Sequence, residues 1–166
     1  MAAQLSALAE LDELFATHDL SYWLFGGWAV DFHAGHVTRE HADMDIAVWS
    51  VDRTRVTTLL RESEWMHCPE EGEDGYTCFE RDGVRLELAF LARDDHGQIH
   101  TPLRDGRGEW PAGSFGDDIA ELRGVRIHVV SRESLIVDKS TVRSDDATAS
   151  KDRADIASLV RTNVAQ

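Results

Sequence analysis

Apolar positions recur along the chain with periods that assign most of its elements. Leu5, Leu8, Leu11, Leu14 and Phe15 fall at helical spacing, so residues 3–18 predict an amphipathic helix lying on whatever follows. Tyr22–Phe25 is a short aromatic and apolar run that stops at Gly26 and Gly27. A second apolar stretch, residues 28–34, opens directly after these glycines and stops at Gly35, which predicts a helix with a glycine terminator. In residues 44–49 the period changes to two. Met44, Ile46 and Val48 share one face, and Asp43, Asp45, Ala47 and Trp49 the other, as in a strand. Residues 52–64 predict a helix capped by Asp52, with Val56, Leu59 and Leu60 inward.

Two strand-like runs, Tyr76–Arg81 and residues 84–91, flank Asp82-Gly83, a strong hairpin signal. The second arm puts Leu86, Leu88 and Phe90 on one face and Glu87 and Ala89 on the other. Residues 92–118, rich in Gly, Pro, Asp and Arg, predict a long irregular loop, which in a compact domain is usually functional or disordered. Residues 125–130 predict a further strand. Arg132–Lys139 and residues 149–164 predict two closing helices, the last with Ile156, Leu159 and Val160 inward. The fold class is therefore α+β: a small mixed sheet, one helix inserted after the glycine turn, and helices at both ends. Residues 1–130 are read as the core and residues 131–166 as a short helical extension within one compact unit.

The chain has 166 residues, enough for one domain, and its 17 basic and 31 acidic residues give a net charge of −14. That sign argues against sequence-independent binding to nucleic acid, whose phosphates would be repelled. It permits a cationic small molecule or a metal–nucleotide complex. Glu70, Glu71, Glu73, Asp74, Asp94, Asp95, Asp117 and Asp118 fall in predicted loops. They are read as solvated, or as a rim steering a cationic acceptor. No apolar run suggests a membrane span, and the N-terminus lacks a secretory pattern. Cys68 and Cys78 match no metal spacing; they could close one disulfide, but are read as reduced thiols of a cytoplasmic protein.

The informative chemistry lies between Gly26 and Asp45. Two glycines at a strand-to-helix turn let backbone approach a ligand closely, and the helix N-terminus beyond them favours phosphate. Asp43 and Asp45 leave the same face of their strand, where two carboxylates repel unless a cation lies between them. Asp is also a poor strand former, and hard oxygen ligands at this spacing suit Mg²⁺. If the strand of Glu87 neighbours theirs, three carboxylates converge and can serve two Mg²⁺ ions in phosphoryl chemistry. His33, His36 and His41 invite a zinc reading, but no second ligand pair follows. Trp23, Trp28 and Trp49 fall in apolar elements and are read as core. Trp110, in the long loop, is the candidate substrate contact.

The segments Phe25-Gly26-Gly27-Trp28-Ala29-Val30-Asp31, Gly35 and Thr38-Arg39 with His41, Asp43, Asp45 and Ile46 resemble the nucleotidyltransferase superfamily that includes DNA polymerase beta. Within it, the chain resembles the small antibiotic nucleotidyltransferases that act on aminoglycosides and lincosamides. The segments Trp110-Pro111, Phe115, Asp138-Lys139 and Lys151-Asp152-Arg153-Ala154-Asp155-Ile156 add to the likeness. The resemblance implies a polymerase-beta-like fold and Mg²⁺-dependent transfer of a nucleoside monophosphate, AMP from ATP, to a hydroxyl of a small molecule, with release of pyrophosphate. It implies that Gly26 and Gly27 cradle the triphosphate, that Asp43, Asp45 and Glu87 hold two Mg²⁺, and that Glu87 accepts the hydroxyl proton. Arg39 would lie near the phosphates and Lys139 would neutralise the leaving group. Asp31 is shared with the antibiotic branch without an assigned role. Glu87 stands where relatives more often carry Asp. Antibiotic resistance is the corresponding physiological expectation. Two alternatives stay open: a nucleotidyltransferase of the toxin–antitoxin kind acting on a protein or an RNA, and a non-catalytic nucleotide-binding module. The short C-terminal region is compatible with a homodimer in which a second copy completes the cleft.

Overall fold

The computed structural model describes residues 1–68, 75–141 and 146–162. Helix α1 (Ala2–Thr17) is followed by β1 (Tyr22–Phe25), α2 (Gly26–Ala34), β2 (Asp43–Trp49), a 3-10 turn (Ser50–Asp52) and α3 (Arg53–Glu62). Then come β3 (Met66–His67), β4 (Tyr76–Arg81), β5 (Val84–Arg93), β6 (Ile99–Leu103) and β7 (Gly106–Glu109). The chain closes with β8 (Ile119–Leu122), β9 (Val125–His128), α4 (Arg132–Lys139) and α5 (Asp146–Thr162). No helix among the described residues is long and apolar enough to cross a membrane.

The central sheet runs β1-β2-β5-β4-β3. Its single parallel pair is β2 with β5; the other pairs along this path are antiparallel. The β4–β5 hairpin turns through Asp82 and Gly83 at φ 52° and 73°, the doubly left-handed turn that matches strand twist and that Asp-Gly favours. Met44, Ile46 and Val48 of β2 and Leu86, Leu88 and Phe90 of β5 are fully or almost fully buried, as their alternation predicts. Ala47 and Ala89 are also fully buried, so the opposite face is covered too at its middle and opens towards Asp43, Asp45 and Glu87. Leu8, Leu11 and Phe15 of α1 close the core, and α2 is enclosed, with Trp28, Ala29, Val30, Asp31 and Phe32 all buried. Helices α4 and α5 pack on α2 and on each other.

Several expectations need correction. Residues 92–118 are not a plain loop: β5 runs to Arg93, and β6 and β7 form a hairpin that extends the sheet from its end. Its base is tied by Trp110 N–H to Ile99 O (3.1 Å) and by the Gln98 amide to Trp110 O (2.7 Å). Asp52 stands at the N-cap of α3, yet its side chain makes no capping hydrogen bond. Helix α2 includes both glycines rather than starting after them. Val160 is exposed, because the inward stripe of α5 is Asp152, Asp155 and Leu159. Cys68 and Cys78 are disulfide-bonded rather than reduced: the β3–β4 register, Met66 opposite Glu80 and His67 opposite Phe79, continues to set them opposite each other. The predicted loop at 70–74 and the end of the last predicted helix, 163–164, lie outside the described residues.

Candidate active site

Parallel pairing of β2 and β5 aligns Asp45 with Glu87, and Asp43 stands two positions earlier on the same face. Among the described residues neither aspartate side chain makes a hydrogen bond or an ion pair. Glu87 Oε1 accepts from Arg85 Nε at 3.1 Å, both side chains being about one-third exposed. Burial, then the charges of Asp43 and Glu87, drive the Asp45 carboxyl up; Lys139 and Arg39 pull it back only in part, and it reaches about 7. Uncompensated hard oxygen donors of this kind fit a divalent cation. Among the described residues, however, no three His, Cys, Asp or Glu side chains are gathered closely enough to hold an ion by themselves.

The two glycines are explained by β2 and the segment that leads into it. Gly26 takes φ +66°, and a Cβ there would overlap the Asp45 carboxylate; one at Gly27 would overlap the His41 ring and Arg39. The start of α2 therefore lies directly on the acid face.

Beside it runs a continuous polar chain. Asp31, fully buried in α2, accepts from Thr38 N–H (3.0 Å) and from the Thr38 hydroxyl (2.5 Å), and its second oxygen meets His41 Nε2 at 2.6 Å. Arg39 has only donors, so its contact with His41 Nδ1 at 3.0 Å makes that nitrogen the acceptor and puts the ring proton on Nε2, towards Asp31. The Arg39 guanidinium also donates to both oxygens of Asp155, at 3.3 and 3.2 Å. Lys139 Nζ stands 2.7 Å from Asp155 and 3.3 Å from Asp152, and all three are buried. Burial pushes Asp155 up, but hydrogen bonds from Arg39 and Lys139 outweigh it and hold the carboxyl below its ordinary range.

Histidines 33, 36 and 41 do not converge: His33 Nε2 meets Val130 O, His36 Nδ1 meets Ala34 O, and His41 lies between Asp31 and Arg39. The zinc reading therefore has no support.

Trp110 lies in a cavity of about 460 Å³ with Phe25, Tyr76, Glu109 and Asp138 on its walls. Its ring packs edge-on to Phe25 (5.2 Å), and its indole N–H donates to Thr101 Oγ1 (3.0 Å). Phe25 is in register with Asp45, and the charges of Asp45, Glu87 and Asp138 all act on Tyr76, so the cavity adjoins the acid face. Sequence reading left Asp31 without a role and missed that Asp155 joins Arg39 to Lys139. The available signals were an acid inside an otherwise apolar helix, and two aspartates three positions apart on the inward face of α5.

A sheet with acidic residues on its one parallel pair, and a glycine-led helix against them, defines the polymerase-beta-like nucleotidyltransferase fold. The lincosamide antibiotic adenylyltransferase LnuA, solved with lincomycin bound, superposes with TM-score 0.71 at 22% identity over 90% of this chain and 92% of that one. ANT(2'')-Ia in complex with adenylyl-2''-tobramycin gives 0.70 at 19% identity, over 98% and 94%. A nucleotidyltransferase-like protein of Thermotoga maritima gives 0.55 at 17% identity, over 98% and 93%. No curated protein sequence matches the chain. The family profile described as aminoglycoside-2''-adenylyltransferase matches residues 7–159, and the chain belongs to that family of nucleotidyltransferases.

Proposed function

We propose that the chain transfers AMP from ATP, in dependence on Mg²⁺, to a hydroxyl of a small cationic acceptor of the aminoglycoside or lincosamide kind, and that pyrophosphate leaves. The observation that carries this reading is the pair Asp43 and Asp45, without hydrogen bond or ion pair among the described residues, with Asp45 aligned with Glu87 beside the start of α2. Mg²⁺ commonly takes one or two carboxylates and completes its shell with water and substrate phosphates, so an open acid face suits an ion that arrives with a triphosphate. When bound, the ions would supply charge stabilisation to the transferring phosphoryl group and activate the attacking oxygen.

The chain's own residues do the rest. Asp43, Asp45 and Glu87 would hold the ions, with substrate phosphates and water completing the shell that the three side chains do not close by themselves. Gly26 and Gly27 let the start of α2 close onto Asp45, His41 and Arg39, which brings the backbone N–H groups that would meet the triphosphate beside the acid face. Arg39 and Lys139 balance phosphate charge, including that which develops on the leaving group. Glu87 accepts the acceptor hydroxyl proton; Arg85 fixes one of its oxygens, and among the described residues the other makes no hydrogen bond. Trp110, with Phe25 and Tyr76, offers apolar wall to the acceptor, while Glu109 and Asp138 favour a positive charge.

Labelled ATP, Mg²⁺ and a panel of aminoglycosides and lincosamides test this. The expected result is pyrophosphate release that requires both an acceptor and Mg²⁺. ATP binding without release for any acceptor would favour a binding module, and transfer only to a protein or RNA would move the acceptor class.

A further inference from the structure

Resting on the nucleotide reading above, we propose that Asp155 is a positioning residue that holds Arg39 and Lys139 away from the acid face, so that the triphosphate rather than the carboxylates receives them.

The difficulty it answers is electrostatic. Arg39 and Lys139 both lie near enough to Asp45 for their charges to act on it. Left free, two flexible cations beside two aspartates that have no partner among the described residues would swing over and form direct ion pairs. Such pairs would occupy the oxygens that ions need and spend the positive charge that phosphate needs. In the structure the ion pairs of Arg39 and Lys139 run instead to α5, and among the described residues none reaches Asp43, Asp45 or Glu87.

Asp155 is suited to this by its geometry. It is 1% exposed, faces inward from α5 and takes both cations at once, Arg39 through a two-pronged contact and Lys139 through one short bond. The planar guanidinium is thereby fixed in orientation as well as position. From the other side His41 Nδ1 accepts from Arg39, and Asp31 fixes the tautomer that lets it do so. Asp152 supports Lys139 alone in this set and acts more weakly.

The test separates positioning from mere support of the fold. Asp155→Asn keeps the shape and removes the charge. ATP binding is measured by calorimetry with Mg²⁺ and no acceptor, and turnover with acceptor is measured across ATP concentrations. Positioning predicts an ATP dissociation constant and a KM for ATP each raised about tenfold, the scale of one charge-assisted hydrogen bond, beside the fall in kcat that follows when Arg39 and Lys139 no longer meet the leaving-group charge. Asp155→Glu should restore both to within about threefold. In an Arg39→Gln background the same Asp155→Asn change should add less than about threefold, since both act on one path. A merely structural role would lower the folded fraction and kcat while leaving KM and the dissociation constant unchanged; that outcome, or fully additive losses, overturns the inference. Should Asp155→Asn fail to fold, Asp152→Asn carries the test: a rise of about threefold in KM supports the inference and no change overturns it. A wild-type chain that binds no ATP defeats the nucleotide reading itself; a wild type that binds ATP while Asp155→Asn matches it defeats only the positioning role.

Discussion

Two groups of acidic residues lie side by side and are treated in opposite ways. Asp31, Asp152 and Asp155 are buried, and each meets hydrogen-bond donors or cations that compensate its charge. Asp43 and Asp45 have no such partner among the described residues, and one of them is driven up to about 7. Folding normally pairs or protonates a carboxylate held this way, because desolvating a charge is expensive. Where the chain compensates one group and, among the described residues, leaves its neighbour bare, the contrast supports the proposal that the bare group is kept for a ligand. Pairing thus separates the scaffold of this site from its reactive face better than burial does.

The comparison is broken most severely at Asp45. Asp45→Asn should cut turnover about a thousandfold, the several kcal/mol that metal-assisted charge stabilisation contributes at about 1.4 kcal/mol per tenfold. It should leave the circular dichroism spectrum unchanged. Activity near wild type would remove the metal assignment.

Asp31→Ala should do the reverse. It strips the partners from Thr38 and His41 in a fully buried setting and should lower stability by about 2–4 kcal/mol in denaturant titration. Loss of activity would follow from unfolding rather than precede it.

The pH dependence of stability sharpens the contrast, because the two groups carry opposite signs. Asp45 is raised in the folded state, so its contribution is full below about pH 4 and is lost as pH rises through about 7. Asp155 is lowered, so its contribution is present above the ordinary carboxylate range and is lost as pH falls through its folded value. Burial lowers His33 in the same sense, since protonating it opposes folding in acid. Melting temperature should therefore decline between pH 6 and pH 8 in the metal-free protein, and Asp45→Asn should flatten that decline while leaving the acid limb intact. The smallest effect belongs to the surface: Arg81→Ala, which removes an exposed pair with Glu10 and a cation–π contact of 4.7 Å with Trp65, should cost about 1 kcal/mol or less in the same titration.

The acid face was legible in the chain because two poor strand formers share one side of an alternating strand, and because Asp-Gly fixes the hairpin that carries Glu87. That β5 neighbours β2 came from the resemblance, since periodicity does not choose a strand's partner. The compensated group was not legible. Arg39 and Asp155 are 116 positions apart, and no local pattern announces their meeting. The β6–β7 hairpin was hidden because Pro102, Gly106 and Gly108 interrupt any alternation, while the bonds that hold it come from Trp110 and Gln98. The disulfide was misread because ten positions of spacing say nothing about pairing; the register of a two-residue strand decides it.

The parallel union of β2 and β5 also constrains how the protein acquires activity during refolding. Strands running the same way cannot be joined by a tight turn; here the chain must travel through α3, β3 and β4 before Glu87 arrives beside Asp45. Non-local pairing of this sort forms slowly, because loop closure costs entropy before any contact repays it. Helices and the Asp82-Gly83 hairpin can assemble first without creating any competence for chemistry. In a refolding time course, helical signal should therefore return ahead of turnover, and the lag between them measures closure of this one crossover.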